Sequence, residues 1–363
     1  MAVFAKGRGF TLVELLVGIV IALLGSLAVM QAFTGRESER RNIGSLADAQ
    51  NNALIAMFMV ERDLQQAGMG FSDLRALGCT VGSANGLNGA TMVSTAIIPA
   101  GSAGNPWGLP DGDAGSDMLV VMYGVSANAS EGYSVARTTA LGDTAIPVAG
   151  VQGILVNDTL LLAEQGRACT LGQVQSVTVG SEEVTINFPA AAGHSTAARM
   201  FNLGPQPRLL AYAVRNGNLT VCNFSLADCT GSADDPMVWS PVVNDIVALV
   251  AQYGADVTPV HDRVVDTYCG VWAGRTCGGA GTMTACDYVR APAMRLAVVA
   301  RSPQAEKEEV FPTASIKLWP DSASVPTTTG PEWLVPDRHY RYRVVSTTVA
   351  LRNIQLMGVQ SGC

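Results

Sequence analysis

The chain has 363 residues, of which 15% are charged and 48% hydrophobic, and its formal net charge is −7. This composition excludes an intrinsically disordered chain, which combines low hydrophobicity with high charge, and the length is enough to bury a large core. The acidic balance gives no support for direct nucleic-acid binding, because phosphate recognition depends on a surplus of lysine and arginine.

The N-terminus combines a short basic segment with a long apolar one. Residues 1–9, MAVFAKGRG, carry only Lys6 and Arg8 as charges, and the apolar stretch at residues 10–33 follows directly. Its length suits a helix that spans a membrane. Basic residues before the stretch predict that residues 1–9 face the cytoplasm and that the rest of the chain lies outside.

Glu14 is the one charge inside this apolar stretch. A secretory signal peptide has a shorter apolar core followed by a small-residue cleavage site, and neither feature fits. A plain membrane anchor explains the length but not a carboxylate, which is costly at this depth and indicates a function. The remaining alternative for Glu14 is that its side chain only extends to the cytoplasmic headgroups.

Residues 8–14, RGFTLVE, resemble the class III signal of type IV pilins and pseudopilins. The resemblance implies that a membrane prepilin peptidase cleaves after Gly9 and methylates Phe10 as the new N-terminus. It also implies that Glu14 meets the N-terminal amine of a neighbouring subunit during assembly. The residue types suit these roles, because glycine lets a protease approach the backbone and opposite charges attract strongly in a low dielectric.

The helix is predicted to continue to residue 67, because the first proline is Pro99. Residues 34–67 form an amphipathic half that we expect to pack on a globular domain, and Gly68 and Gly70 provide the stop. Many major pilins have a proline near mature position 22, where this chain has Gln31, and this favours a minor pilin. The apolar positions at mostly helical spacing are Ile43, Leu46, Leu54, Met57, Val60, Leu64 and Ala67.

From residue 71 onward, short β-type runs alternate with Gly, Asn, Asp and Pro, which predicts a mostly antiparallel β head with one or two sheets or lobes. Asn216-Gly217 predicts a type I′ hairpin. The fold class is therefore α+β, with a long helix packed on a large β head. The candidate strands are residues 117–125, 159–163, 176–179, 184–188, 209–214, 219–222, 246–253, 294–301 and 340–351.

The even number of cysteines predicts a disulfide framework in an exported head, and no pair has C-x-x-C spacing. Cys222 and Cys229 are the favoured local pair, and two of the cysteines in residues 259–291 are the second. We interpret residues 259–291 as a disulfide-linked surface insertion. The eight candidates are Cys79, Cys169, Cys222, Cys229, Cys269, Cys277, Cys286 and Cys363.

The sequence contains no catalytic or nucleotide-binding motif, and its three histidines lie far apart, so we predict no enzyme and no cofactor. One acidic loop, with Asp111, Asp113 and Asp117, is a weak calcium candidate because calcium prefers oxygen ligands. The same pattern is also typical of an ordinary turn before a strand.

Four further segments resemble PilW-family minor pilins, in the same order and spacing: residues 62–68, 245–256, 294–302 and 340–353. Each segment alone is a weak signal, but together they extend the resemblance over the whole chain. Within the last segment, we interpret Arg352 and Asn353 as structural residues that cap the final strand.

The resemblance implies a structural minor pilin that primes type IV pilus assembly in a tip complex and supports twitching motility, adhesion and DNA uptake. Its expected partners are the prepilin peptidase, other minor and major pilins, a tip adhesin and the inner membrane, from which it passes into the extracellular pilus. The chain is expected to divide into four parts. These are a leader that is removed (residues 1–9), the membrane-spanning half of the helix (10–33), its amphipathic half (34–67) and a disulfide-linked, β-rich head (68–363). A type II secretion pseudopilin and a binding head that uses pilin export remain alternatives.

Overall fold

The computed structural model describes residues 11–83, 87, 89–102, 106–126, 131–231, 233–279, 281–319, 332–360 and 362–363, without the side chains of residues 32 and 34–43. In chain order the elements are α1 (Leu12–Gln66), β1 (Val81–Ser83), β2 (Thr95–Ile98), β3 (Met118–Tyr123), β4 (Tyr133–Ser134), β5 (Ala145–Pro147), β6 (Thr159–Ala163), β7 (Cys169–Thr178), β8 (Glu183–Ile186), β9 (Arg199–Gly204), β10 (Arg208–Arg215), β11 (Asn218–Asn223), β12 (Ser240–Asn244), β13 (Ile246–Ala255), β14 (Thr267–Cys269), β15 (Trp272–Ala273), β16 (Thr276–Cys277), α2 (Ala285–Val289), β17 (Ala293–Arg301), β18 (Ser315–Lys317), β19 (Glu332–Leu334), β20 (Tyr342–Ala350) and α3 (Arg352–Leu356).

Helix α1 has 55 residues, which corresponds to a length of about 82 Å. It ends at Ala67, whose backbone N–H donates to the carbonyl of Leu64. Gly68 then adopts a φ of +79°, a conformation that a residue with a side chain rarely adopts, and the chain leaves the helix there. The glycine stop predicted from the sequence is therefore present.

The second half of α1 packs on the head mainly through small residues. Ala49, Ala53 and Ala56 are fully buried, and Met57, Val60, Leu64 and Ala67 are buried with them. The prediction that Leu54 packs on the head is wrong, because 48% of its surface is exposed. Leu54 directly follows the inner-face residue Ala53, and successive residues of a helix point about 100° apart, so its side chain leaves the inner face. Leu46 is half-buried, and the Ile43 side chain lies outside the described residues.

Two antiparallel sheets lie against α1. The five-stranded sheet has the order β12-β11-β10-β3-β2 and the four-stranded sheet has the order β14-β13-β17-β20. The helix contacts β17 and β20 most extensively and also touches β3, β12 and β13. A single hydrophobic core runs from α1 through both sheets. The β18–β19 hairpin covers the opposite side of the four-stranded sheet, with Trp319 and Trp333 buried there.

A separate lobe is inserted between the neighbouring strands β3 and β10. Its sheet has the order β4-β9-β6-β7-β8-β5, and β1 adds to β7 in parallel. The lobe has its own hydrophobic core, which includes Val135, Ile146, Leu160 and Val184. The chain enters and leaves it side by side, since the Val125 backbone N–H donates to the Leu203 carbonyl at 2.8 Å.

The predicted α+β class is confirmed, and each candidate strand overlaps an observed one. The hairpin prediction is also confirmed: β10 and β11 pair antiparallel around Asn216 and Gly217, whose φ values are 51° and 71°. The sequence missed several strands of two to six residues, among them β9, and the short helices α2 and α3.

Four disulfides join the eight cysteines, and no described cysteine is free. The favoured local pair is present as Cys222–Cys229, and the second local pair is Cys269–Cys277. The other two link distant segments: Cys79–Cys169 ties the segment after α1 to β7, and Cys286–Cys363 ties α2 to the last residue. Residues 259–291 lie between β13 and β17, and the Cys269–Cys277 and Cys286–Cys363 bridges hold them. Within this segment Trp272 is buried, so the segment is not confined to the surface.

Candidate assembly site

Glu14 lies at the start of α1, in its first turn, while the predicted processing residues Gly9 and Phe10 lie outside the described residues. Its backbone N–H donates to the Thr11 hydroxyl at 3.3 Å, and its carboxylate accepts from the Thr11 backbone N–H at 3.3 Å. This reciprocal capping box holds the carboxylate over the helix N-terminus, where negative charge is favourable. The side chain is solvent-exposed in the isolated chain.

The first half of α1 is exposed along its whole length in the described part of the chain. Leu12–Gln31 is the one described helix long and apolar enough to span a membrane, with a mean hydropathy of 2.6 and no buried residue. A helix that is apolar all round requires lipid or other helices around it. The absence of burial at Leu12–Gln31 therefore leaves this surface open to lipid or to other helices.

A buried carboxylate fixes the other end of α1 to the head. Asp63, which is 1% exposed, accepts hydrogen bonds from the hydroxyls of Tyr123 at 3.0 Å and Tyr212 at 2.5 Å. Arg62 completes the group, with its guanidinium 2.9 Å from Asp63 Oδ1. Burial and the nearby Asp63 charge raise the pKa of both tyrosine hydroxyls, so they remain protonated donors.

This group joins the helix to two neighbouring strands, since Tyr123 belongs to β3 and Tyr212 to β10. We name Asp63, Tyr123 and Tyr212 the tyrosine clamp. The sequence indicated Asp63 through its resemblance to PilW-family pilins, but neither tyrosine was singled out. The available signal was a tyrosine inside each of two strongly apolar strands, because a buried hydroxyl needs a polar partner.

Asn353 closes the C-terminal end of α1. Its side-chain amide donates to the backbone carbonyls of Gln66 and Ala67, both at 3.1 Å. The prediction that Asn353 caps the last strand is therefore wrong, although its role is structural. Because the last carbonyls of a helix lack partners within the helix, a donor from α3 satisfies them and fixes the helix end.

The acidic loop considered as a calcium site uses its carboxylates for backbone hydrogen bonds. Asp113 accepts from the N–H groups of Asn216 and Gly217, and Asp117 accepts from those of Ala100 and Ala251. Burial raises the pKa of Asp117. Among the residues that the structure describes, no group of three or more His, Cys, Asp or Glu side chains is arranged to hold a metal ion. These contacts, together with the exposed Asp111, favour the interpretation as a turn.

The three histidines occupy separate environments, each beside one carboxylate. His194 lies 3.7 Å from Glu164, His261 lies 3.9 Å from Asp256 and His339 lies 2.8 Å from Asp337. Burial lowers the pKa of His194 and His261, which favours their neutral forms.

Comparison with known protein families places this geometry in context. Residues 211–353 match the family described as type IV pilus-assembly protein W, and residues 5–30 match the prokaryotic N-terminal methylation motif. No significant match was found among curated proteins or solved structures. The two family matches confirm the resemblance to PilW-family pilins. The matched part of the head includes Tyr212 and ends at Asn353, so it contains two of the side chains that hold α1.

Proposed function

On the premise that this chain is a PilW-family pilin, we propose that it is a minor pilin that helps to prime type IV pilus assembly and occupies a complex at the pilus tip. The observation that carries the proposal is the division of α1. One half is apolar and has no buried residue at Leu12–Gln31, and the other half is fixed to the head by the tyrosine clamp and Asn353. Twitching motility, adhesion and DNA uptake follow from the pilus in this proposal, rather than from chemistry in this chain.

The proposed route begins in the inner membrane, with residues 1–9 in the cytoplasm and the head in the periplasm. The prepilin peptidase cleaves after Gly9 and methylates Phe10. Glu14 then pairs with the N-terminal amine of a neighbouring pilin within the membrane, where an ion pair is much stronger than in water. Its exposed position in the first turn of α1 supports this role.

Mass spectrometry of the mature N-terminus, from membranes and from sheared pili, tests the route. We expect a peptide that begins at N-methylated Phe10 in both fractions. An intact Met1, or cleavage near Phe33, contradicts the processing. The same mature peptide found only in membranes leaves the processing intact and favours either a pseudopilin of type II secretion or a very rare tip subunit.

A deletion strain tests the priming role separately. We expect the deletion strain to have fewer surface pili. The wild-type gene is expected to restore them and the Glu14→Ala gene is not, although both strains contain equal amounts of the mature protein in the membrane. Glu14→Asp is the matched control, because it keeps the charge. A fully piliated deletion strain contradicts priming, and it favours the alternative of a binding head that uses pilin export.

A further inference from the structure

A cleft of about 440 Å³ runs between the C-terminal end of α1 and the five-stranded sheet. Its helix side is formed by Met59, Arg62 and Gln66, and its sheet side includes Arg208 and Val221. The tyrosine clamp forms the boundary between the two sides, so the cleft has fixed walls. Arg208 lies directly opposite Tyr123 in the pairing of β10 with β3.

The cleft is basic although the chain as a whole carries a net charge of −7. Its one carboxylate, Asp63, is already satisfied by the two tyrosine hydroxyls and Arg62. In the described part of the chain, no hydrogen bond or ion pair holds the exposed Arg208 guanidinium. Two arginines therefore face one opening, and an incoming carboxylate matches both the charge and the fork geometry of guanidinium groups.

An apolar strip on α1 leads into this cleft. Leu54, Phe58 and Arg62 follow one another at four-residue spacing and lie on one face of the helix. Leu54 is 48% exposed and Phe58 is 66% exposed, with Ile55 beside them. Large apolar side chains grouped next to a charged opening are typical of an interaction site. The strip lies on the same helix as the exposed apolar half at Leu12–Gln31.

We propose that this cleft and strip bind a segment of a different pilin subunit, in which a carboxylate lies next to apolar side chains. The carboxylate contacts Arg62 and Arg208, and the apolar side chains cover Phe58 and Leu54. A segment of this composition is favoured over a second copy of the chain, because the net negative charge of each copy opposes self-association. The proposal rests on the proposed function, which it extends to a particular contact.

Site-specific photo-crosslinking in the native host tests the contact with the full chain. A benzophenone amino acid replaces Phe58, and mass spectrometry identifies the crosslinked peptide. We expect a peptide from another pilin that contains Asp or Glu near apolar residues. Leu334, which is 74% exposed on β19, provides the control position, and no such peptide is expected there. A product with a second copy, a product with lipid alone or no product at Phe58 overturns the proposal.

Charge reversal supplies the second measurement. Arg208→Glu is expected to lower the crosslinking yield at Phe58 by about fivefold or more, because like charges at an interface are strongly unfavourable. Arg208→Lys is expected to keep most of the yield, and reversal of the partner's acidic residue is expected to restore it in Arg208→Glu. An unchanged yield in Arg208→Glu overturns the proposal. One combined result refutes the cleft proposal but not the proposed function. In that result the deletion strain loses its pili, and the gene with Arg208→Glu restores them without a change in the crosslinking yield at Phe58.

Discussion

The two halves of α1 are parts of one continuous helix, yet they meet opposite surroundings. The half at Leu12–Gln31 exposes large aliphatic side chains around its whole circumference, and none of its residues is buried. The half beyond residue 48 turns Ala49, Ala53 and Ala56 to the head and is fixed by polar contacts at its end. The comparison teaches that apolar character alone does not indicate where a helix packs. The inner face of the second half combines alanines with Met57, Val60 and Leu64, whereas the first half has large apolar side chains on every side.

The largest expected effect on the free energy of unfolding comes from replacing one leucine by alanine, and it is compared between the two halves of α1. Leu64→Ala is expected to destabilise the head by about 2–5 kcal/mol, because Leu64 is fully buried. Leu23→Ala, at a position 60% exposed, is expected to change head stability by less than about 0.5 kcal/mol. Urea unfolding of the full chain in detergent, followed by tryptophan fluorescence, measures both, since all five tryptophans lie in the head. Equal losses in the two variants contradict the comparison.

The tyrosine clamp is expected to give the next largest effect. Asp63→Ala leaves two buried hydroxyls without their acceptor, which is expected to cost about 2–3 kcal/mol of unfolding free energy. Tyr212→Phe is the matched partner variant. Because the two side chains act together, the double variant is expected to lose less than the sum of the single losses. Additive losses in the same unfolding experiment show that the clamp does not act as a unit.

The cap at the end of α1 is expected to have a smaller effect. Asn353→Ala removes donors to the Gln66 and Ala67 carbonyls and is expected to cost about 1 kcal/mol. Amide hydrogen exchange is expected to increase in the last turn of α1 and to remain unchanged in the inserted lobe. Arg352→Ala, at the exposed neighbouring position, serves as the control. Faster exchange in the lobe instead of the helix end contradicts the assignment.

The last expected effect depends on pH and concerns a part of the head away from the helix, where the buried Asp256 lies 3.5 Å from the Arg290 guanidinium. Burial alone raises the pKa of Asp256, but hydrogen bonds from Thr258 and from backbone N–H groups, including that of Arg263, outweigh it and lower the pKa. The carboxylate therefore contributes stability above its unfolded pKa of about 3.9, and this contribution is lost as the pH falls through the lower folded pKa.

Asp256→Asn is expected to lower stability at pH 7 and to reduce the further loss between pH 5 and pH 3. Urea unfolding across this range measures the effect. Asp337→Asn is a suitable comparison, because hydrogen bonds from His339 lower the pKa of Asp337 at an exposed site. An unchanged pH dependence in Asp256→Asn contradicts the assignment.

The sequence predicted the long helix, its stop at Gly68, the longer strands and the β10–β11 hairpin, because these depend on local patterns. It also placed Met57, Val60, Leu64 and Ala67 correctly on the inner face of α1. It missed the buried alanines there and misplaced Leu54, since alanine gives little hydrophobic signal and leucine gives a strong one. The tyrosine clamp was also missed: Asp63 lies 60 residues from Tyr123 and 149 residues from Tyr212, and only tertiary packing brings them together. Distant disulfides such as Cys286–Cys363 were unpredictable for the same reason.

The adjacent entry and exit of the inserted lobe make it a module. Val125 and Leu203 are hydrogen-bonded neighbours, so a short turn between β3 and β10 is sufficient to close the chain if the lobe is removed. One side of the lobe has a core of its own, while Leu161, Phe201 and Leu203 join the main core of the head, and the Cys79–Cys169 bridge adds a covalent link to that of the chain itself. Evolution can therefore diversify the side of the lobe that has its own core while the helix and the sheets that carry the lobe keep their architecture.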